Sequence, residues 1–414
     1  MTIAFPADRT AWFRDARFGL FIHWGLYAVH GHGEWAMSRE AIPWDEYERL
    51  LPGFTADAYD PRAWARLAKK AGMRYAVLTT KHHEGFCLWD SQLCAFNSMN
   101  SPAKRDLLRE FVDAFRAEGL QVGLYYSLGD WRNPDWAAGF RGDEAAKARF
   151  MTWTHGLIRE LMTNYGRIDV LWYDLPQCYG IEDWRSVELN AQVRALQPHI
   201  LINNRAYTSE DFVTPEQHVG GGASGRLTES CMTMNGHWGF NPHDHEWKSV
   251  HDLALHLASA AAGGGNLLLN VGPDPRGAIP PEAVERLEGI GRWLDTHRPA
   301  IDRSRAHGLP WLLAGPVTWT PPYLNVVLRH HYGERFDLGG LTNRVLSATC
   351  LSTGNVLTFE QRRESPARVR LSGLPTTWSH DQGPLVIRLE IEGKPDSDLS
   401  RVIGGADIFP VLPP

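Results

Sequence analysis

Polar and aromatic side chains recur in this 414-residue sequence directly after short apolar runs. If those runs are parallel strands, the side chains that follow them meet at one edge and can act together. The set combines neutral hydrogen-bonding groups, flat rings and separate carboxylates, which is typical of a site for a polyhydroxylated ligand. The runs lead into His23-Trp24, Gly33-Glu34-Trp35, Lys81-His82-His83-Glu84, Tyr125-Tyr126-Ser127, Trp172-Tyr173-Asp174 and Asn203-Asn204-Arg205, and a later loop supplies Glu216.

Two of these carboxylates are candidates for chemistry. Asp174 ends the apolar run 168–173, a position where a carboxylate can react but can equally cap the helix that follows. Glu216 lies in the loop sequence Thr-Pro-Glu-Gln. The other acidic residues near these motifs also fit as ordinary ion-pair partners, namely Glu34, Glu84 and Glu229.

Adjacent histidines allow a metal site as an alternative. Successive strand residues point to opposite faces, so His82 and His83 can share one ion only if the chain bends there. The cysteine and third-histidine spacings of a zinc site are missing, and we therefore expect no metal. A second histidine-rich stretch is interpreted as a solvated loop rather than a metal site, and it contains His237, His243, His245 and His251.

The elements that would position these residues follow a repeated βα pattern. Apolar runs alternate with amphipathic stretches from about residue 15 to 298, which favours a parallel sheet or barrel. Asp60-Pro61 predicts a helix start and Gly72 a helix stop. At least six strands result, so an α/β fold with a (β/α)8-like barrel over residues 1–304 is expected. The predicted strands are 18–23, 73–80, 120–126, 168–173, 199–203 and 266–271, and the further helices are 107–119, 150–162, 184–196, 249–262 and 281–297.

After about residue 305 the pattern changes to short β-type runs separated by Gly, Pro and Ser turns. This pattern predicts a C-terminal β-sandwich domain over residues 305–414. The predicted strands are 323–328, 345–351, 356–361, 367–371 and 385–391.

Composition excludes several classes of protein. Lys plus Arg minus Asp plus Glu is 42 − 48 = −6, which argues against a nucleic acid or an anionic membrane as partner. No apolar run approaches the roughly 18 residues that a bilayer requires. The five cysteines are irregularly spaced and are expected to be reduced thiols. No secretory signal is visible at the N-terminus, so a cytoplasmic location is expected.

Several longer motifs follow one another over about residues 10–300. They include 17–25, 33–37, Lys81-His82-His83-Glu84-Gly85-Phe86, 123–127, Leu171-Trp172-Tyr173-Asp174, Trp238-Gly239-Phe240 and 264–273. Together they closely resemble the retaining α-L-fucosidases of glycoside hydrolase family 29. The resemblance implies a distorted (β/α)8-like barrel followed by a β-sandwich, in agreement with the strand pattern.

The resemblance also implies an activity, the exo-acting removal of terminal L-fucose from a fucosylated oligosaccharide or glycoconjugate, without a metal or organic cofactor. Asp174 matches the nucleophile and Glu216 the general acid/base, with Glu229 as the alternative acid/base. The other matching residues are implied to bind the sugar or flank the catalytic pair, and they are His23, Glu34, Trp35, His82, His83, Tyr125, Trp172, Arg205, Glu229 and Trp238.

Two other functions stay open at this point. One is a related barrel glycosidase that acts on a fucose-like sugar, such as an L-galactoside. The other is a catalytically silent carbohydrate-binding protein. The presence of both carboxylates argues against the silent protein.

Overall fold

The computed structural model describes residues 8–220, 226–306 and 314–399. The strands of its first part are β1 (Phe18–Ile22), β2 (Tyr75–Lys81), β3 (Gln121–Ser127), β4 (Val170–Asp174), β5 (Leu201–Ile202), β6 (Phe212–Val213), β7 (Leu227–Met232) and β8 (Asn266–Val271). They form one eight-stranded sheet in the order β5-β4-β3-β2-β1-β8-β7-β6, and every paired neighbour is parallel. The predicted (β/α)8-like barrel is thereby confirmed.

The barrel is nearly closed, and its distortion lies at the seam between β5 and β6. These strands have two residues each, and only a single parallel bridge between Asn203 and Phe212 joins them. Asp211 reinforces the seam, because its N–H donates to the Ile202 carbonyl at 3.0 Å and its carboxylate accepts the Ile202 N–H at 2.9 Å. The chain that carries Arg205 and Glu216 leaves the sheet at this seam.

Carboxylate and hydroxyl caps set the starts of the main helices. Asp60 accepts the N–H groups of Arg62 at 2.9 Å and Ala63 at 3.0 Å, so the first long helix begins at Pro61 as predicted. Gly72, at φ 90°, turns the chain into β2. The helices are α1 (Ala11–Ala16), α2 (Tyr27–His30), α3 (Ala36–Arg39), α4 (Trp44–Tyr47), α5 (Pro61–Lys70), α6 (Leu107–Ala117), α7 (Pro134–Phe140), α8 (Glu144–Asn164), α9 (Ile181–Trp184), α10 (Ser186–Leu196), α11 (Val250–Ala262) and α12 (Pro281–Ile301).

An aromatic core fills the inside of the barrel. The ring of Trp172 lies 5.5 Å from that of Tyr125 and 5.2 Å from that of Phe21. Residues two apart in a strand share a face, so Asp174 lies on the same inward face as Trp172. This core therefore forms a floor beneath the carboxyl ends of the strands.

The C-terminal part is a β-sandwich, as predicted. Its strands are β9 (Val317–Thr320), β10 (Tyr323–Val327), β11 (Arg335–Gly339), β12 (Val345–Cys350), β13 (Thr358–Arg362), β14 (Arg368–Ser372) and β15 (Val386–Ile391). They form two antiparallel sheets, β12-β15-β10-β9 and β11-β14-β13. Apolar side chains from both sheets share one hydrophobic core.

The last helix of the barrel joins the two parts. Trp293 of α12 donates its ring N–H to the Pro384 carbonyl at 2.9 Å, and His297 contacts the Ser352 hydroxyl at 2.8 Å. The domain boundary after residue 304 stays a prediction. None of the helices in the described ranges combines the length and apolar composition needed to cross a membrane.

Candidate active site

A cavity of about 410 Å³ opens at the carboxyl ends of the barrel strands. Most of the predicted site residues line it, and they are His23, Trp35, His82, His83, Tyr125, Trp172, Asp174, Arg205, Glu216 and Trp238. Two predicted residues do not line it, Glu34 and Glu229. The structure thus brings together side chains from β3 and β4 and from the segments that follow β1, β2, β5, β6 and β7.

An arginine joins the two candidate catalytic carboxylates. Arg205 donates from Nη1 to Asp174 Oδ1 at 2.9 Å and from Nη2 to Glu216 Oε2 at 2.7 Å. Because a guanidinium is a rigid fork, it holds both carboxylates at one end of the cavity. Such a bridge suits the separation of about 5–5.5 Å between carboxyl groups that a retaining glycosidase requires.

Arg205 is itself fixed in place. Its Nε donates to the Thr214 hydroxyl at 2.8 Å, and its guanidinium lies 4.5 Å from the centre of the Trp172 ring. Burial lowers the pKa of Arg205, but the negative charges of Asp174 and Glu216 outweigh burial and raise the pKa above its usual value. A permanent positive charge therefore sits between the two carboxylates.

The two carboxylates differ in their surroundings. Asp174 also accepts the Tyr125 hydroxyl at 2.9 Å, and its side chain is 19% exposed. The Glu216 side chain is 42% exposed, so it lies at the solvent-facing side of the cavity. A single backbone bridge to Cys231 positions Glu216. Asp174 is thus held from two sides, whereas Glu216 can reach a group that projects from the cavity.

The hydrogen bonds of His83 define its tautomer. The Ser127 hydroxyl donates to the Gly129 carbonyl at 2.8 Å, so its oxygen accepts the proton of His83 Nδ1 at 2.7 Å. Burial, assisted by the positive charge of Lys81, holds the pKa of His83 well below its usual value. The neutral ring then carries a lone pair on Nε2, which lies 3.9 Å from Asp174 Oδ2 and can accept a ligand hydroxyl.

His23 is arranged in the same way. Asn270 donates its amide N–H to the Trp238 carbonyl at 2.7 Å, which leaves its oxygen to accept the proton of His23 Nδ1 at 2.7 Å. Burial lowers the pKa of His23 to about 4, so this ring is also neutral near pH 7. Its Nε2 is a second hydrogen-bond acceptor in the cavity wall.

His82 lies between these two rings, and its own ring is almost parallel to that of Tyr125, at 10° and 5.6 Å. Burial, together with the neighbouring His83, lowers the pKa of His82 well below its usual value. Its Nδ1 is 4.0 Å from Glu84 Oε2. Burial also raises the pKa of Glu84 to about 8, so Glu84 is largely protonated at pH 7 and leaves the cavity uncharged on that side.

Glu34 supports the cavity wall from behind. It is buried, and its Oε2 accepts the N–H of Gly239 at 2.8 Å. This bond fixes the chain next to Trp238, whose ring lies 5.0 Å from that of His23. The predicted contact between Glu34 and sugar stays a prediction, and the geometry supports a positioning role for this residue.

Glu229 lies beneath the floor of the cavity. It is fully buried, it accepts the Trp172 ring N–H at 2.9 Å, and it accepts a short hydrogen bond from the Tyr75 hydroxyl. A side chain at Gly19 would lie 2.4 Å from the Tyr75 ring, so glycine there makes room for this arrangement. Burial raises the pKa of Glu229 to about 7, against the opposing effect of its hydrogen bonds.

The raised pKa of Glu229 gives a testable pH dependence. Between about pH 4.5 and pH 7 the folded protein keeps a proton that the unfolded chain releases, so the free energy of unfolding must fall as pH rises through that window. Across this window the free energy of unfolding should fall by about 3 kcal/mol. We expect Glu229→Gln to remove this part of the slope in urea unfolding curves measured from pH 4.5 to 8. Parallel curves for the variant and the natural protein would contradict the proposed burial of a titrating carboxyl.

Some site residues were missed by sequence reasoning. Ser127 and Asn270 lie within motifs at strand ends, and a search for partners of the histidines at those ends could have found them. The remaining cavity residues gave no chemical signal in the sequence, and they are Phe21, Leu175, Gln177 and Cys231.

Two carboxylates that face one cavity, surrounded by neutral hydrogen-bonding groups on a (β/α)8-like barrel, define the protein as a glycoside hydrolase. The family model described as "Alpha-L-fucosidase" matches residues 6–298. The chain belongs to the alpha-L-fucosidase family.

Similar proteins come from animals and bacteria. Human plasma alpha-L-fucosidase is 32% identical over 330 residues, which cover 70% of this chain and 68% of that protein. The isoenzyme 1 structure from Paenibacillus thiaminolyticus is 38% identical with a TM-score of 0.84, covering 93% of this chain and 99% of that one. A Bacteroides thetaiotaomicron fucosidase, trapped as a covalent intermediate with 2-fluoro-fucosyl fluoride, is 28% identical with a TM-score of 0.84, covering 94% and 97%.

Proposed function

We propose that this protein is an exo-acting retaining α-L-fucosidase that hydrolyses terminal α-L-fucosyl residues of fucosylated glycans. The observation that carries the proposal is the bridge from Arg205 to both Asp174 and Glu216 inside one cavity. The aromatic floor formed by Phe21, Tyr125 and Trp172 closes this cavity from below, which suits a terminal sugar rather than the middle of a chain.

In the first step Asp174 attacks the anomeric carbon. Its carboxylate oxygen forms a bond to that carbon while the bond to the glycosidic oxygen breaks, and Glu216 transfers a proton to the departing oxygen. The products are a fucosyl ester on Asp174 and the free aglycone alcohol. The Tyr125 hydroxyl, 2.9 Å from Asp174 Oδ2, fixes the orientation of the attacking carboxylate.

In the second step water hydrolyses the ester. Glu216, now ionised, removes a proton from the water as its oxygen bonds to the anomeric carbon, and Asp174 leaves as a carboxylate. Arg205 positions both carboxylates for these steps. Once Asp174 is esterified and uncharged, Arg205 pairs with Glu216 alone, through the contact of 2.7 Å between Nη2 and Oε2.

Neutral recognition groups suit an uncharged sugar. The Nε2 atoms of His23 and His83 can accept hydrogen bonds from sugar hydroxyls, because each Nδ1 donates within the protein. The aromatic faces of Trp35 and Trp238 suit the apolar C6 methyl of fucose. A fucose-like sugar with a C6 hydroxyl would lose this contact, which favours the fucosidase over the L-galactosidase alternative.

The test is hydrolysis of p-nitrophenyl α-L-fucoside compared with the p-nitrophenyl β-D-galactoside. Turnover of the fucoside, with α-L-fucose as the first anomer seen by NMR, supports the proposal. Release of the β anomer first would contradict double displacement. Preference for the galactoside would indicate another glycosidase, and fucose binding without turnover of either substrate would indicate a carbohydrate-binding protein.

Because the histidines of the cavity are assigned to hydroxyl groups, chelation is expected to leave catalysis intact. Exhaustive treatment with EDTA should leave kcat on p-nitrophenyl α-L-fucoside unchanged. Untreated protein carried through the same dialysis is the control. A loss of kcat that added Zn²⁺ restores would contradict the assignment of His82 and His83 to hydroxyl groups.

A further inference from the structure

A cluster of possible metal ligands lies outside the catalytic cavity, in the segment between β1 and α4. His30 ends α2, His32 follows two residues later, and Glu40 comes directly after α3. Glu40 Oε2 is 2.8 Å from His30 Nε2, and Glu40 Oε1 is 2.9 Å from His32 Nδ1. Among the residues that the structure describes, this is the one place where three such side chains converge.

We propose that His30, His32 and Glu40 bind one divalent cation of the Zn²⁺, Ni²⁺ or Cu²⁺ type. One ligand atom from each side chain lies within 4.8 Å of the others. Zn²⁺ binds imidazole nitrogen and carboxylate oxygen at about 2.0–2.2 Å, so small side-chain rotations bring all three atoms to one ion. Imidazole ligands favour these metals over Mg²⁺ or Ca²⁺, which prefer oxygen.

The surroundings support this ligand set. The two oxygens of Glu40 face different rings, Oε2 facing His30 and Oε1 facing His32, so one carboxylate is in reach of both imidazoles. The His30 and His32 rings are 4.5 Å apart and partly exposed, which gives an ion access from solvent. The ring of His243, on the neighbouring loop, lies 6.3 Å from that of His32 and offers a further imidazole on the same side.

The cation would act on the cavity wall rather than on the chemistry. The segment between its ligands contains Glu34, which holds Gly239, and Trp35, which lines the cavity. An ion bound by His30 and Glu40 ties the two ends of this segment together and stabilises the folded form. None of the three ligands lines the cavity, so kcat should not depend on the ion.

The experiment uses full-length protein without a histidine tag, stripped with EDTA and dialysed free of it. Calorimetric titration with ZnCl2 should give one ion per chain and a rise in Tm, whereas MgCl2 should give neither. His32→Ala and Glu40→Gln should each weaken Zn²⁺ binding by at least about tenfold. His330→Ala, at an exposed histidine of the C-terminal part, is the matched control and should bind as the natural protein does.

Each result decides the proposal independently of the fucosidase assignment. Anomalous diffraction at the zinc edge should place the ion between the three side chains. Zn²⁺ binding that is unchanged in His32→Ala and Glu40→Gln, or an ion found instead at His82 and His83, would overturn the proposal. If the metal proposal fails, hydrolysis of p-nitrophenyl α-L-fucoside by both variants at normal kcat would still support the catalytic assignment.

Discussion

Replacing Asp174 by glycine is expected to lower kcat on p-nitrophenyl α-L-fucoside by on the order of 10⁴- to 10⁶-fold. The substitution removes the atom that forms the bond to the anomeric carbon. The buried charge of Arg205 still has a partner in Glu216, at 2.7 Å. The fold should therefore persist. Circular dichroism and Tm, measured beside kcat, check that the loss is chemical.

A small external nucleophile should restore part of the activity of the glycine variant. Azide can enter the space left by the carboxylate and attack the anomeric carbon, while Glu216 still protonates the departing oxygen. The product is then a fucosyl azide of inverted configuration, because one displacement replaces two. Asp174→Asn fills the same space and is the matched control, which azide should not rescue. Near-normal kinetics of Asp174→Gly without azide would show that another group is the nucleophile.

Most of the residues that line the cavity were predicted from their positions directly after apolar runs, because such positions are visible in the local sequence. Apolar runs such as 168–173 show a strand directly, and the carboxyl ends of parallel strands must share one face. Asp60-Pro61 likewise predicted a helix start, because the Asp60 carboxylate caps the helix by accepting the nearby N–H groups of Arg62 and Ala63. Local signals of this kind need no knowledge of distant partners.

The strands β6 and β7 were not predicted, and the reason is physical. β6 has two residues, which is too short for a periodic pattern. β7, Leu-Thr-Glu-Ser-Cys-Met, places Glu229 toward the barrel interior, where an apolar residue is expected. That carboxyl is tolerated because Tyr75 and Trp172 bond to it, across 154 and 57 residues of sequence. Partners that far apart become visible only when the barrel is assembled.

The tautomers of the cavity histidines could not be predicted from sequence either. The sequence places His23 and His83 at strand ends, but the acceptor role of each Nε2 follows from a hydrogen bond at Nδ1. Ser127 and Asn270 make those bonds because their own donors are already used by carbonyl groups. Chemical function at this site therefore depends on groups behind the cavity wall.

Glu216 lies in the cavity wall and Glu229 lies in the barrel interior. This difference favours Glu216 over Glu229 as the general acid. Glu216 is 42% exposed beside Asp174, whereas Glu229 lies beneath Trp172 with both oxygens occupied. A general acid contributes about 10²–10⁴-fold when the leaving group is poor. We therefore expect Glu216→Ala to lose about that factor in kcat/KM on a fucosyl disaccharide and far less on p-nitrophenyl α-L-fucoside, whose leaving group needs little protonation.

Glu229→Gln should instead slow both substrates in similar proportion, because it disturbs Trp172 and the floor rather than proton transfer. Azide should accelerate Glu216→Ala on the aryl substrate, since the fucosyl ester on Asp174 then reacts without a base, and it should not accelerate Glu229→Gln. If the dependence on leaving group and the azide response occur in Glu229→Ala and not in Glu216→Ala, the two roles must be exchanged, and Trp172 must move to let the buried carboxyl reach the glycosidic oxygen.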